Sequence, residues 1–300
     1  MFGHCDREDA FFRIHVAICF LCTLMALSGA IQAEDAPSVV SVSEFQPQWQ
    51  PIFKGIGYLE ARKAAPDPLA VYAVRVDLTE PSIAFLVTPS NGERHLETDG
   101  QKPSAFLKQY GCQVAINASP FSPVNAIEGD PRDILGLSIS RGDAYSRPHG
   151  GNPALLISKD NKVSFGTPPF DLANVYNAAA GFNMLLNNGK NTGENGTRHP
   201  RTAAGISQDK RYLYLVAIDG RQDNYSVGAT TQETAQWMLQ LGAYDALNLD
   251  GGGSTTLVTN DGKGGAQIHN RPIHNKMAPG AERVNGNHLG IYAQPLAERP

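Results

Sequence analysis

The chain has 300 residues, and its 25 lysines and arginines nearly balance 29 acids, giving a formal net charge of −4. Without basic runs, this balance excludes a nucleic-acid-binding surface as the organising feature. With 30 glycines and 20 prolines among 41% hydrophobic residues, the composition is that of a turn-rich, strand-rich globule. No repeat, heptad pattern or low-complexity tract interrupts it.

The first 33 residues have the form of an export leader. Val16 to Leu27 is an apolar run of signal-core length, too short to span a bilayer comfortably. Small residues follow, and cleavage is expected after Ala30 or Ala33. The n-region departs from the usual pattern, because Asp6, Glu8 and Asp9 outnumber Arg7 and Arg13. Three of the four cysteines, Cys5, Cys19 and Cys22, would leave with this leader. Cys112 would remain as a buried thiol without a disulfide partner. A secreted or periplasmic protein is expected, with no stable membrane insertion once the leader is removed.

Residues 34–69 are Pro-rich and weakly periodic, and read as an N-terminal arm with one short strand near Phe53–Tyr58. The run 71–78 alternates with period two and is a strand, with 82–89 its expected neighbour. Residues 102–110 read as a short helix with Ser104 as N-cap candidate. Cys112 to Asn117 is a buried strand stopping at Asn117-Ala118-Ser119-Pro120-Phe121. Hairpins are expected at Gly142-Asp143 and Asp160-Asn161, and two strands within 175–189.

Polar residues then crowd together. His199 and Arg201 open one strand, and Asp219 and Arg221 close the next. A hairpin turning at 208–210 would bring the four together, and an arginine pair suits an anionic ligand. Residues 230–242 form the clearest helix. Thr230 and Glu233 fit a capping box, giving Glu233 a structural reading beside any catalytic one, and Gly242 is placed to end the helix.

The helix leads into Asn248-Leu249-Asp250-Gly251-Gly252-Gly253-Ser254-Thr255, an apolar strand expected to end at a single carboxylate, three glycines and hydroxyls. Consecutive glycine amides can form an anion-binding concavity, and an acid beside it is a reaction-centre candidate. A polar-tipped hairpin turn is the plainer alternative. His269, His274 and His288 lack metal-ligand spacing and read as loop or surface residues, so neither metal nor cofactor is expected.

Taken in order, AINASPF, HPRTAAGIS, VAIDGR, TTQETAQWMLQLGAYDALNLDGGGSTTLV and ERVNGNHLGIY resemble the phosphodiester glycosidase family. This is the family of N-acetylglucosamine-1-phosphodiester alpha-N-acetylglucosaminidase, which has many exported bacterial members. The resemblance runs from about Val71 to Ala293. One departure is Asn117-Ala118-Ser119-Pro120-Phe121, where members commonly carry Asn-Gly-x-Phe-Phe.

The resemblance, together with the strand pattern, implies an α+β fold: a strand-rich mixed sheet with few helices, forming one catalytic domain over 70–294. It implies hydrolysis of a sugar-1-phosphodiester at the anomeric C–O bond. Asp250 would work at the anomeric carbon or on water, with Asp219 as second carboxylate and Glu233 behind it. His199 would shuttle a proton. Asn117, Phe121, Arg201, Arg221, Gly251, Gly252, Gly253, Ser254, Thr255 and Arg283 would bind substrate. Two other classes stay open. One is a non-catalytic sugar-phosphate or exopolysaccharide-binding or biosynthesis protein. The other is a metal-assisted phosphodiesterase cutting P–O, which would need a His/Asp cluster.

Overall fold

A computed structural model describes residues 45–274 and 278–297. The leader segment and its cleavage positions lie outside the described residues. The largest sheet has eight strands. Their order is Gln50–Phe53, Ile56–Lys63, Leu69–Asp77, Tyr212–Ile218, Arg201–Ile206, Asp245–Asn248, Asn183–Asn187 and Lys190–Asn191. A second sheet holds Asp143–Ser146, Ser138–Ser140, Val175–Ala180, Ala154–Ser158 and Val163–Gly166. A third holds Ala266–Ile268, Leu257–Asn260, Val114–Asn117, His288–Tyr292 and Ala84–Val87. A small fourth sheet contains Thr98–Asp99, Pro131–Ile134 and Phe121–Ser122.

This is the expected strand-rich α+β architecture, with the refinement that the ladders between these strands are antiparallel rather than mixed.

The strand Tyr212–Ile218 shows how sequence becomes layers. Successive strand side chains point to opposite faces. Leu213, Leu215 and Ala217 enter a core shared with Ile116, Leu257 and Leu289 of the third sheet and Leu155 and Ile157 of the second. Tyr214, Val216 and Ile218 enter a second core beneath a helix. Both faces of the strand are therefore dry, which explains its near-continuous apolar run.

That helix, Thr231–Leu241, covers the outer face of the large sheet with Ala235, Trp237, Met238 and Leu241. The capping box is present: Glu233 N–H donates to Thr230 Oγ1 at 3.0 Å, and Thr230 N–H to Glu233 Oε2 at 2.8 Å. Gly242, at φ 106°, ends the helix. The other helix, Pro103–Tyr110, begins with Pro103 and has Lys102 as N-cap without a side-chain cap bond. Ser104 is inside the helix instead, and its N–H and hydroxyl both donate to Glu282.

Three local expectations change. Residues 50–63, read as part of an arm with one short strand near Phe53–Tyr58, supply two strands on one edge of the large sheet. Ala84–Val87 does not pair with Leu69–Asp77; it pairs with His288–Tyr292, far along the chain. His288 is fully buried rather than at the surface. Its Nδ1 meets Thr88 Oγ1 at 3.0 Å and its Nε2 meets the Gln101 carbonyl at 3.0 Å. Burial lowers its pKa to about 3, so it stays neutral. Cys112 is buried and without a disulfide, as expected.

Candidate active site

After Asn248 the chain leaves the large sheet, and at Leu257 it enters the third. The crossing is the Asp-Gly-Gly-Gly segment, whose glycines form a single 3-10 turn at Gly252–Ser254. Leu249 N–H still bonds to the Thr202 carbonyl at 2.9 Å, whereas Asp250 N–H bonds to the Ala118 carbonyl of the other sheet at 2.9 Å. A carboxylate at this seam is held by both sheets.

Three asparagine amides clamp the crossing. Asn117 Nδ2 donates to the Asp250 carbonyl at 2.5 Å, Asn285 Nδ2 to the Ser254 carbonyl at 3.2 Å, and Asn270 Nδ2 to the Thr255 carbonyl at 3.0 Å. All three side chains are buried. Asn117 Oδ1 also accepts from Thr202 Oγ1 and from Thr256 N–H. Asn117 thus shapes the turn from behind rather than facing a ligand. Asn270 and Asn285 were not legible as site residues, because an isolated asparagine looks the same in any loop.

A cavity of about 220 Å³ opens over the turn. Its walls carry His199, Arg201, Arg221, Asp250, Gly251, Gly252, Gly253 and Arg283, together with Phe182, Asn248 and Leu249. The 201–206/212–218 hairpin forms as expected, with Arg201 opposite Ile218. It brings His199 to Arg221, with Nη2 to Nδ1 at 3.2 Å. A guanidinium can only donate. Nδ1 is therefore an acceptor, the neutral ring carries its proton on Nε2, and a shuttling role does not fit this arrangement. Burial first, then Arg221 and Arg201, lower the pKa of His199.

Arg201 is fixed by bonds from Nε to the Ala229 carbonyl at 2.9 Å and from Nη2 to the Thr197 carbonyl at 3.1 Å. Arg283 donates from Nη1 to Ser254 Oγ at 3.2 Å and from Nε to His274 Nδ1 at 3.3 Å.

Asp250 is the one carboxylate among the residues lining this cavity. Burial raises its pKa to about 6, against the Ser254 hydroxyl, Arg283 and the Gly251 amide, which favour the charged form. Gly252 N–H is turned to the Pro200 carbonyl at 2.9 Å, so this amide is not open to an anion. The triplet also makes room. A Cβ on Gly251 would meet the Pro200 carbonyl oxygen at 2.8 Å, one on Gly252 would meet Arg221 Nη2 at 3.1 Å, and one on Gly253 would lie 2.6 Å from Arg283 Cζ. Gly252 and Gly253 thus leave room over the turn for two guanidinium groups, and Gly251 for the Pro200 carbonyl.

Other expected site residues are elsewhere. Asp219 is 1% exposed and does not line the cavity. It accepts from Asn270 Nδ2 at 2.8 Å, Arg271 N–H at 2.7 Å and Tyr225 OH at 3.1 Å. It thereby anchors the asparagine that holds Thr255, and burial raises its pKa. Phe121 is buried where Gly286 has no room for a Cβ. Ser254 and Thr255 are buried under the turn, Ser254 supporting Arg283 and Thr255 meeting Thr202.

Glu233 caps its helix and pairs with Arg198, which also reaches Asp67 at 2.8 Å. Glu233→Ala removes a cap partner and a part-buried ion pair. It is expected to cost about 1–2 kcal/mol of stability with kcat unchanged. A large kcat loss at undiminished Tm, measured on the same preparation, would contradict this.

Among the described residues no group of three or more His, Cys, Asp or Glu side chains could hold a metal ion. No helix there is long and apolar enough to cross a membrane.

The site is thus a lone carboxylate among arginines at a sheet-to-sheet crossing of an antiparallel α+β fold. The phosphodiester glycosidase family model matches residues 110–292, and the chain belongs to that family. In structure it is similar to the zebrafish N-acetylglucosamine-1-phosphodiester alpha-N-acetylglucosaminidase catalytic domain auto-inhibited by its pro-peptide. That match has a TM-score of 0.62 and 20% identity, and covers 83% of this chain and 88% of that one. It is also similar to a Burkholderia pseudomallei protein thought to be exported, with TM-score 0.55, 16% identity, and 75% and 74% coverage. A hypothetical protein from Synechocystis gives 0.54, 17%, 80% and 62%. At these identities the structural likenesses concern the fold. No curated protein matches the chain in sequence.

Proposed function

We propose that this chain hydrolyses the anomeric C–O bond of a sugar-1-phosphodiester, releasing the free sugar and a phosphomonoester. One observation carries the reading: a single carboxylate, Asp250, shares a small cavity with Arg201, Arg221 and Arg283. A phosphate is a good leaving group and needs little general acid. It needs cations to receive its developing charge, and the sugar needs an anion to meet its oxocarbenium character. The three guanidinium groups serve the first need, helped by the Nε2–H of neutral His199. Ionised Asp250 serves the second. Water supplies the new oxygen on the anomeric carbon, and its proton balances the departing phosphate.

Family membership supports a substrate of the sugar-phosphodiester class. An N-acetylhexosamine, as named for the zebrafish enzyme, is the first sugar to test. The Val16–Leu27 run supports action outside the cytoplasm, on a cell-envelope or extracellular glycan.

Turnover of an aryl phosphodiester of α-linked N-acetylglucosamine in ¹⁸O-labelled water tests the bond. Label is expected in the sugar. Label in the phosphate would replace the reading with P–O cleavage, and tight binding without turnover on a panel of sugars would make the chain a binding protein.

A further inference from the structure

The cavity lining is chemically mixed, joining the guanidinium groups of Arg201, Arg221 and Arg283 to Phe182 and Asn248. We propose that Phe182 is the platform for the sugar ring. The substrate then lies with its sugar over Phe182 and Asn248 and its phosphate among the arginines. This orientation rests on the hydrolytic reading above but adds to it a residue and a direction.

Phe182 is 49% exposed. A single exposed hydrophobic side chain is ordinary on a protein surface. Phe182 differs in its place, being the one Phe, Tyr or Trp side chain lining this cavity. It is also rigidly carried. It lies in the short turn between the strands Val175–Ala180 and Asn183–Asn187. Its N–H donates to the Asn248 carbonyl at 2.8 Å, and the preceding Gly181 sits so close that a Cβ would be 2.5 Å from that same oxygen. With its main chain held by these contacts, Phe182 has little backbone freedom to lose on binding. Sugars present a face of C–H groups that suits an apolar ring, and binding sites typically combine such a wall with a few convergent polar groups.

Asn248 supplies a second, independent observation. Asn183 Nδ2 donates to the Met184 carbonyl at 3.2 Å, which fixes the Asn183 amide so that its Oδ1 faces Asn248. Asn248 must then present Nδ2 to it, at 3.0 Å. This leaves Asn248 Oδ1 as an acceptor without a protein partner, on a side chain only 4% exposed. That oxygen has almost no accessible surface, so it meets a sugar hydroxyl or amide N–H only once the Asn248 side chain turns toward the cavity it lines. A fully ionised phosphodiester, which can only accept, has no donor to offer it.

Calorimetric titration of the full chain with inorganic phosphate and with α-N-acetylglucosamine 1-phosphate tests the orientation. Wild type is expected to prefer the sugar phosphate by about tenfold or more. Phe182→Ala should erase most of that preference while phosphate Kd changes by less than about twofold, and Phe182→Trp should retain it. An Ala variant that keeps the preference, or loses affinity for both ligands alike, overturns the platform, as does a wild type with no preference. Turnover reports separately. A wild type that shows the binding pattern but hydrolyses no sugar phosphodiester refutes the hydrolytic reading and leaves the platform standing. Hydrolysis unaffected by Phe182→Ala refutes the platform alone.

Discussion

Asp250→Asn is expected to lower kcat by about 100-fold or more while the protein becomes no less stable above pH 6. The substitution keeps the volume and one acceptor oxygen, and replaces the charged carboxylate with a neutral amide whose other atom is a donor. That charge is the anion proposed to meet the sugar's positive character. Wild-type kcat/KM should therefore fall on acidification with an apparent pKa near 6, the value to which burial lifts Asp250. The residual activity of the variant should lack that limb.

The stability prediction has a definite sign. A carboxyl whose native pKa exceeds its unfolded value holds more protons in the native state between those two values, so its contribution falls as pH rises through that window. For Asp250 the window runs from about 4 to about 6. Replacing it should raise Tm at pH 7, by up to about 3 kcal/mol of stability, and the gain should vanish below about pH 4. If the acid merely capped the turn, Asn would leave kcat near normal and lower Tm. Both quantities measured across pH on one variant decide between the two.

Gly253→Ala should reduce kcat/KM by about tenfold or more with little change in Tm. Gly253 is absent from the positive-φ glycines, so its backbone accepts alanine. The added Cβ would fall on the Arg283 guanidinium, 2.6 Å from Cζ. The obstacle is the end of a flexible side chain, so the protein yields by displacing Arg283 rather than by unfolding. Two losses follow, one phosphate ligand and the cation that favours ionised Asp250. The acid limb should move above its wild-type position. Gly252→Ala is a contrasting case, because φ 62° strains any side chain there. It should lower Tm as well. A Gly253→Ala enzyme with wild-type kcat/KM and an unmoved limb would remove Arg283 from the site.

The helix Thr231–Leu241 was legible from one line of sequence because its cap, its apolar stripe and its closing glycine are all local. The same holds for the 201–206/212–218 hairpin, whose two strands are joined by a short polar turn. Asp219 shows the limit. It stands two residues from Arg221 in sequence and looked equally able to face a ligand. Its carboxylate instead turns inward to Asn270, Arg271 and Tyr225, while Arg221 meets His199. The strand ends at Ile218 and Arg221 turns at φ 59°, so strand alternation no longer sets which way the two side chains point, and the packing of another sheet decides it.

The sequence by itself determined the strand-rich class, the clear helix, the family and the Asp-Gly-Gly-Gly segment as the place to look. These depend on periodicity, capping chemistry and short motifs, all carried by neighbouring residues. Tertiary structure alone decided that Ala84–Val87 pairs with His288–Tyr292, that the glycines clear space for Arg221 and Arg283, and that three distant asparagines hold the turn. It also decided that Phe182 and Asp250 line one cavity. Those relations are distances between segments far apart in the chain, and they come into being only when the sheets pack and fix which side chains share a wall.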